Sequence, residues 1–352
     1  MSDARHSAGA VVELRNVTKR YGRNSESAGA VNDLSFTVPA GEICVLVGPS
    51  GCGKTTTLRM VNRLVDPSSG QVLIDGSDVA TVEPTQLRRR IGYVIQQTGL
   101  FPHQSIAQNV ATVPSLLGWD KQRSAARVDE LLSLVGLDPD RYRSRYPAEL
   151  SGGERQRVGV ARALAAEPPV MLMDEPFGAV DPIVRERLQD EFLRLHRTLG
   201  MTVMLVTHDI DEAIKMGTRV AIMRQGGYLE QYAPPADLLA HPASEFVAQF
   251  VGSDRALKQL ALLSVNDVVP IPLVELVGEL GRSPDSWPRF MPDVLLRDVL
   301  SDLLLTEEHV GLAVSSEGSI LGGVTLDSIG AVLARERSPD GSVGPKTVEM
   351  QR

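Results

Sequence analysis

The sequence predicts an α/β protein with a largely parallel sheet, a helical insertion, and a smaller α+β module behind it. Three observations predict the α/β part, and a resemblance given below supplies the α+β module. Short apolar, β-branched runs alternate with helical stretches from Glu42 to Met223, as strands joined by crossover helices do. A glycine-rich loop with G-x-x-x-x-G-K-[ST] spacing lies between one such strand and one such helix. From about residue 98 to 150 the apolar period becomes helical, most clearly over Ala125–Val135.

Composition sets the outer limits. A chain of 352 residues has room for two domains, or for one large domain with a satellite, and its 43% hydrophobic content is ample for a core. The net charge of −8 argues against nucleic acid as a partner, because phosphate contacts need clustered Lys and Arg. The densest basic run, Arg88-Arg89-Arg90, is expected on a solvated helix face. Cys44 and Cys52 fall in an apolar strand and in the glycine-rich loop. They provide no disulfide framework and fit a reducing compartment. Met1–Ala10 has no apolar signal core, and no apolar run is long enough to span a bilayer. The chain is therefore expected in the cytosol unless membrane partners hold it.

Taken in order, Val11–Val17 and Leu34–Val38 alternate like strands of a partly exposed sheet, and the polar stretch Gly22–Gly29 between them is a loop. Glu42–Val47 is a short buried-type strand that feeds the glycine-rich loop, and a helix follows to about Leu64. Val72–Ile74 and Arg90–Gln96 read as further strands. After the helical insertion come strand Val170–Met173, helix Arg185–Leu199, strand Thr202–Val206, helix Asp209–Met216 and strand Val220–Met223. Prolines break up the chain after Tyr232. Residues 255–352 have a different texture and hold 9 Lys and Arg against 14 Asp and Glu, so this part is acidic too. The tail 336–352 is rich in Ser, Gly and Pro and is expected to be disordered.

Gly48-Pro49-Ser50-Gly51-Cys52-Gly53-Lys54-Thr55 matches the phosphate-loop pattern in full. Gly48, Gly51 and Gly53 let backbone N–H groups face a phosphate, Lys54 reaches its β- and γ-oxygens, and Thr55 can ligate Mg²⁺. Met171-Leu172-Met173-Asp174-Glu175 is an apolar strand ending in two carboxylates. Asp174 would hold Mg²⁺ through water and Glu175 would polarise an attacking water. His208 follows the strand Thr202–Thr207, and strands of such sheets release functional residues at their carboxyl ends. A γ-phosphate contact is its expected role, against the ordinary structural histidine. Gln96 leaves Tyr93-Val94-Ile95 at the same end and would touch Mg²⁺ and the attacking water. Tyr21 is a stacking platform for a base, or simply packing. The remaining histidines, His6, His103, His196, His241 and His309, have no comparable context.

One stretch has no obvious need in its own subunit. Ser151-Gly152-Gly153 opens a helix expected from Glu154 to about Glu167 and stopped by Pro168-Pro169. A helix start favours an anion. One nucleotide does not need two cradles from one chain, so this stretch is expected to complete a site on another copy.

This ordered set resembles the nucleotide-binding subunits of ABC transporters over about Val11 to Ser253. The resemblance implies an ABC-type P-loop NTPase core over 11–254 with a helical subdomain over 98–150. Tyr21 would be the adenine-stacking aromatic, and Gly48, Ser50, Gly51, Gly53, Lys54, Thr55 and Thr56 the ATP·Mg²⁺ cradle. Gln96 would be the Q-loop glutamine, Leu150–Gln156 with Ser151, Gly152 and Gly153 the signature, Asp181 the D-loop aspartate and His208 the switch histidine. The D-loop reads Gly178-Ala179-Val180-Asp181, against the more usual Ser-Ala-Leu-Asp. The implied partners are a second copy closing head to tail around two ATP, two integral-membrane permease subunits and, indirectly, a substrate-binding protein. The implied location is the cytoplasmic face of a bacterial cell membrane.

A narrower resemblance, carried by Tyr93–His103, Ile106 to Pro114 and Gly226-Gly227 to Arg255, is to the ATPases of quaternary-amine osmoprotectant importers, for glycine betaine, carnitine, choline or proline. Importers of another solute, such as an amino acid, sulfonate or polyamine, remain the alternative. A non-transport ABC protein is disfavoured by the single ATPase unit, the absence of zinc spacing and the negative charge. Within 255–335, Val294 to Ala331 resembles one CBS motif, closest at Gly322-Gly323-Val324-Thr325-Leu326-Asp327. Leu257–Pro272 resembles the start of another that is cut short before Pro292. A small dimerisation module that binds nothing is the competing reading.

Overall fold

The computed structural model describes residues 9–21, 29–95, 99–178, 180–280 and 283–336. The expected loop after Tyr21, the expected tail, Ala179 of the D-loop and Gln96 fall wholly or mostly outside these residues. The chain divides into two compact units with the join at Pro235/Ala236, whereas the sequence reading put it at 254/255.

In the first unit, strands β1 (Val12–Lys19), β2 (Val31–Val38), β4 (Ser69–Ile74) and β5 (Ser77–Asp78) form an antiparallel sheet in the order β2-β1-β4-β5. β2 buries Val31, Leu34, Phe36 and Val38 and turns intervening residues outward, the alternation of a sheet with one wet face. The larger sheet runs β10-β9-β3-β8-β7-β6, using β3 (Ile43–Val47), β6 (Ile91–Val94), β7 (Val170–Asp174), β8 (Thr202–Thr207), β9 (Arg219–Arg224) and β10 (Tyr228–Ala233). Five of its six strands, from β9 to β6, pair in parallel, and β10 closes one edge antiparallel to β9. Every residue of β3, β7 and β8 is buried. This is why their sequences are continuous apolar runs rather than alternating ones. The two sheets share one core, in which Leu14, Leu34 and Phe36 meet Leu46, Leu58, Leu172, Met204 and Met223.

The sequence reading did not identify β10, because Gln231 and the prolines beyond Ala233 mask its short, half-buried pattern. The helix after the glycine loop is Lys54–Val61, shorter than expected. Arg63 takes a left-handed φ of 48°, and Leu64 donates back to the Arg59 carbonyl at 2.8 Å, closing the helix. The arginine run lies on the helix Pro84–Arg89 and its C-cap, but it is not simply solvated. Arg88 donates to the carbonyls of Asn62 and Arg63, at the end of the Lys54 helix.

The helical insertion holds four helices, Ile106–Val110, Thr112–Leu116, Lys121–Leu134 and Pro139–Tyr142. Fully buried Asn109 fixes the approach to them. Its Oδ1 accepts from Phe101 N at 2.8 Å while its amide donates to the carbonyls of Phe101, Gln104 and Ser105.

In the second unit, strands β11 (Arg289–Phe290), β12 (Val310–Val314) and β13 (Ile320–Thr325) form a sheet in chain order, β11 parallel and β13 antiparallel to β12. One face packs on helices Arg255–Leu260, Leu296–Leu304 and Leu326–Glu336 through Phe290, Ala313 and Val324. Leu312 and Val310, one residue out of step, face the other way toward Leu276 and Trp287. Ile271 pairs with Gly323 through reciprocal bonds of 2.9 and 2.8 Å. A side chain at Gly323 would lie 1.8 Å from Leu276 Cδ1. The Gly322-Gly323 pair is thus required by close packing of the 270–276 segment. That segment, read from sequence as a curtailed first motif, is built into the same small fold.

Candidate functional site

The parallel register brings the expected residues to one edge. Val47 lies opposite Thr207, and Asp174 lies opposite Val206. Neighbouring strands are about 4.8 Å apart, so the loop after β3, Asp174-Glu175 at the end of β7 and His208 after β8 emerge side by side. β6 runs parallel to β7 with Val94 opposite Met173.

Gly48, Gly51 and Gly53 take φ of 153°, 79° and 96°, conformations open to glycine and costly for other residues. At Gly48 a Cβ would also sit 2.1 Å from the Met223 carbonyl oxygen, and at Gly53 2.2 Å from that of Ala30. The loop is folded around Lys54, which is 7% exposed. Its Nζ donates to the carbonyls of Gly48 at 2.7 Å and Pro49 at 3.1 Å. Thr55 Oγ1 donates to Asp174 Oδ1 at 2.9 Å, so the hydroxyl and carboxylate assigned to one cation are adjacent. Burial pushes the Asp174 carboxyl above its ordinary value, and the Thr55 hydrogen bond partly offsets that. A buried carboxylate beside a hydroxyl, beneath a phosphate-type loop, is a donor set that fits a hard divalent ion.

Glu175 and His208 meet: His208 Nδ1 lies 3.4 Å from Glu175 Oε1. His208 is largely exposed and Glu175 partly so, so both side chains can face a molecule in the cleft. Glu175 itself has a φ of 47°. Tyr21, half exposed, has the Lys19 ammonium 5.2 Å from its ring centre. Asp181 is exposed, and its Oδ1 accepts from Ile183 N at 3.1 Å, capping the helix Pro182–Leu199.

The helix opened by Ser151 runs Gly152–Leu164, starting two residues earlier than expected. Ser151 is its N-cap: its Oγ accepts from Glu154 N, while Glu154 Oε2 accepts from Ser151 N at 2.7 Å. The S-x-x-E spacing of this capping box was the sequence signal for the earlier start. Glu154 Oε1 also accepts from the Tyr142 hydroxyl at 2.6 Å. Tyr142 first, then the Ser151 N–H, lowers the Glu154 carboxyl from 4.5 to about 2. A carboxyl depressed by folding stabilises the fold above its unfolded value and loses that contribution as pH falls toward the folded one. Tyr142→Phe is therefore expected to cost about 1 kcal/mol at pH 7. In urea denaturation over a pH series the cost should shrink below pH 4.5. An undiminished cost at pH 3 would contradict this account.

Gly152 and Gly153 differ from the loop glycines. Neither has a left-handed φ, and a Cβ on either meets no atom within 4 Å. Nothing within the described chain requires glycine there. Gln156, five residues along the same helix, was not given a role of its own in the sequence reading. It is 3% exposed, and its Nε2 donates to the Glu175 carbonyl at 3.2 Å.

The ABC transporter family model matches residues 31–178. The osmoprotectant import ATP-binding protein OsmV of Salmonella typhimurium is 56% identical over 259 residues, covering 73% of this chain and 68% of that protein. The chain belongs to the ABC transporter family, as an ATP-hydrolysing subunit. The choline transport ATP-binding protein OpuBA of Bacillus subtilis is 51% identical over 248 residues, which are 70% of this chain and 64% of that one. The chain thus spans about two thirds of the length of these relatives. A dimeric ATP-binding cassette solved in a post-hydrolysis state with ADP and Pi is 34% identical, with a TM-score of 0.58, and covers 64% of this chain and 98% of that one. The cassette fold expected from the sequence is therefore present. No described helix is long and apolar enough to cross a membrane.

Proposed function

We propose that this cassette is the energy-coupling subunit of an importer for quaternary-amine osmoprotectants, working as a pair with shared ATP sites at the cytoplasmic face of the membrane. The observation that carries the shared site is the contrast between the two glycine sets. All three loop glycines are demanded by φ, and Gly48 and Gly53 also by contacts inside the chain, whereas Gly152 and Gly153 are demanded by nothing in the chain's own described structure. A helix start that carries no side chain at its first two positions, inside the Ser151–Glu154 capping box, suits a phosphate brought by a second copy.

In this reading Lys54 and the loop amides hold the β- and γ-phosphates of ATP, and Tyr21 stacks on the base. Ser151, Gly152 and Gly153 of the partner copy close on the γ-phosphate, with Asp181 at the interface. Thr55 Oγ1 and, through water, Asp174 would hold Mg²⁺, with Gln96 assigned beside it from sequence alone. The ion supplies charge neutralisation of the phosphates when bound. Glu175 accepts a proton from the attacking water, and His208, 3.4 Å from Glu175, orients the carboxylate and meets the γ-phosphate. Closure of the pair moves the helical insertion and with it the permease subunits docked there.

The solute assignment is supported by the likeness to OsmV, an osmoprotectant import ATP-binding protein, and OpuBA, a choline transport ATP-binding protein. Radiolabelled glycine betaine uptake by vesicles carrying the complete transporter tests it. ATP-dependent accumulation is expected, and vesicles that accumulate only a polyamine or an amino acid would overturn the solute while leaving the ATPase reading intact. The second unit, 236–336, is proposed as a CBS-like accessory module, supported by its β11-helix-β12-β13-helix order.

A further inference from the structure

Glu175 stands in a backbone conformation that its own chemistry disfavours. Its φ of 47° lies in the left-handed region, where a residue with a Cβ is held only by its surroundings. Among the described residues, three hydrogen bonds contribute to that hold. Its N–H donates to the Val206 carbonyl at 2.9 Å, which ties it to β8. Its carbonyl accepts from Gly178 N at 3.3 Å, within the same turn, and from Gln156 Nε2 at 3.2 Å. The first ties it to the neighbouring strand of its own sheet, and the last ties it to the helix that begins at Ser151.

That helix is a rigid rod. Gln156 lies about 7 Å along it from Ser151, at 1.5 Å per residue, so a displacement of the capped end is carried to the amide with little loss. The surroundings leave room for such a displacement. A small apolar cavity of about 30 Å³ lies beside this bond, lined by Gln156, Val160, Leu164, Pro176, Phe177 and Phe192. Close-packed interfaces resist sliding, whereas a gap beside a single hydrogen bond permits it.

We propose that Gln156 is a positioning residue that ties the orientation of Glu175 to the state of its own Ser151-Gly152-Gly153 helix end. This rests on the shared-site reading, in which that helix end is engaged by the nucleotide held in the other copy. Each copy's carboxylate is then set by the opposite site's nucleotide, and the two sites hydrolyse cooperatively. The path is a short chain of named contacts: partner-bound phosphate, helix start, Gln156 amide, Glu175 carbonyl.

The test uses the full chain, its ATPase rate measured across ATP concentration, and fluorescent-nucleotide binding. The wild type is expected to show a Hill coefficient approaching about 2, the limit for two coupled sites. Gln156→Met keeps length and packing but removes the N–H donor. It should bind nucleotide within about twofold of wild type, lose about 10- to 100-fold in kcat, as small misplacements of catalytic groups do, and show a Hill coefficient near 1. A merely structural role would lower the melting temperature without moving the Hill coefficient. Should Gln156→Met not fold, Gln156→Leu also removes the donor without adding a charge to this buried site and is read the same way. Wild-type kcat and cooperativity in the variant would overturn the proposal alone. Lost kcat with wild-type cooperativity would also overturn it, reducing Gln156 to a local support. A wild type that neither pairs with ATP nor shows cooperativity would remove the shared-site reading itself, and the coupling with it.

Discussion

Glu175→Gln is expected to keep ATP binding, lower turnover by about 10²- to 10⁴-fold, the usual contribution of a general base, and leave the protein as an ATP-dependent dimer. The geometry explains why the effect should be confined to chemistry. Glu175 is held by main-chain bonds to Val206 and Gly178 and by Gln156 at its carbonyl, none of which involves the carboxylate. The amide has nearly the volume of the carboxylate, which lies 3.4 Å from His208 Nδ1, so the side chain keeps its place. What disappears is the ability to take a proton from water. Size-exclusion chromatography with light scattering, with and without ATP, and a phosphate-release assay check the two halves separately. A variant that hydrolyses ATP at the wild-type rate would reassign the base. One that is inactive yet stays monomeric with ATP would remove the shared site.

Gly153→Ala is expected to move stability and activity in opposite directions. In the helix Gly152–Leu164 an alanine removes glycine's backbone freedom, worth up to about 1 kcal/mol. It meets nothing within 4 Å. Thermal denaturation should show a rise of about 2 °C. Hydrolysis should nevertheless fall about 100-fold, because the added methyl would stand between the helix start and a phosphate approaching from the partner copy. ATP binding to Lys54 and its loop should persist. A Gly153→Ala protein that is more stable and fully active would mean that glycine there serves no nucleotide.

Where chemistry constrains the backbone, this fold could be read from its residues. The loop from Gly48 to Thr55 announced its strand, its turn and its helix together, because only glycine tolerates φ of 153°, 79° and 96° in succession around one lysine. Buried strands such as β7 and β8 announced themselves as unbroken apolar runs ending in Asp174 and Thr207. Edges were harder. β10 carries Glu230 and Gln231 in a half-buried strand, so its pattern does not separate from a loop. The split of the strands into a parallel and an antiparallel sheet was equally hidden, since it depends on pairing partners far apart in sequence. Within the site, Asp174, Glu175 and His208 could be placed from the ends of their strands. The bond from Gln156 to Glu175 could not, because a glutamine on a helix gives no sign of which carbonyl it meets. The capping role of Glu154 was legible from the S-x-x-E spacing, while its second partner, Tyr142, needed the fold.

The position of β3 has a consequence for how the protein is made. Its two neighbours are β8 and β9, drawn from Thr202–Thr207 and Arg219–Arg224. During synthesis β3 therefore leaves the ribosome with neither edge paired and waits until residues beyond Arg224 have emerged. Until then, five consecutive buried-type residues, Ile43–Val47, are an open template for mispairing. The helical insertion and most of the core are made inside that interval. Birth of the nucleotide loop is thus a late event, although its sequence lies in the first sixth of the chain. A nascent cassette arrested before β8 would carry every residue from Gly48 to Glu175 with β3 joined to neither of its neighbours.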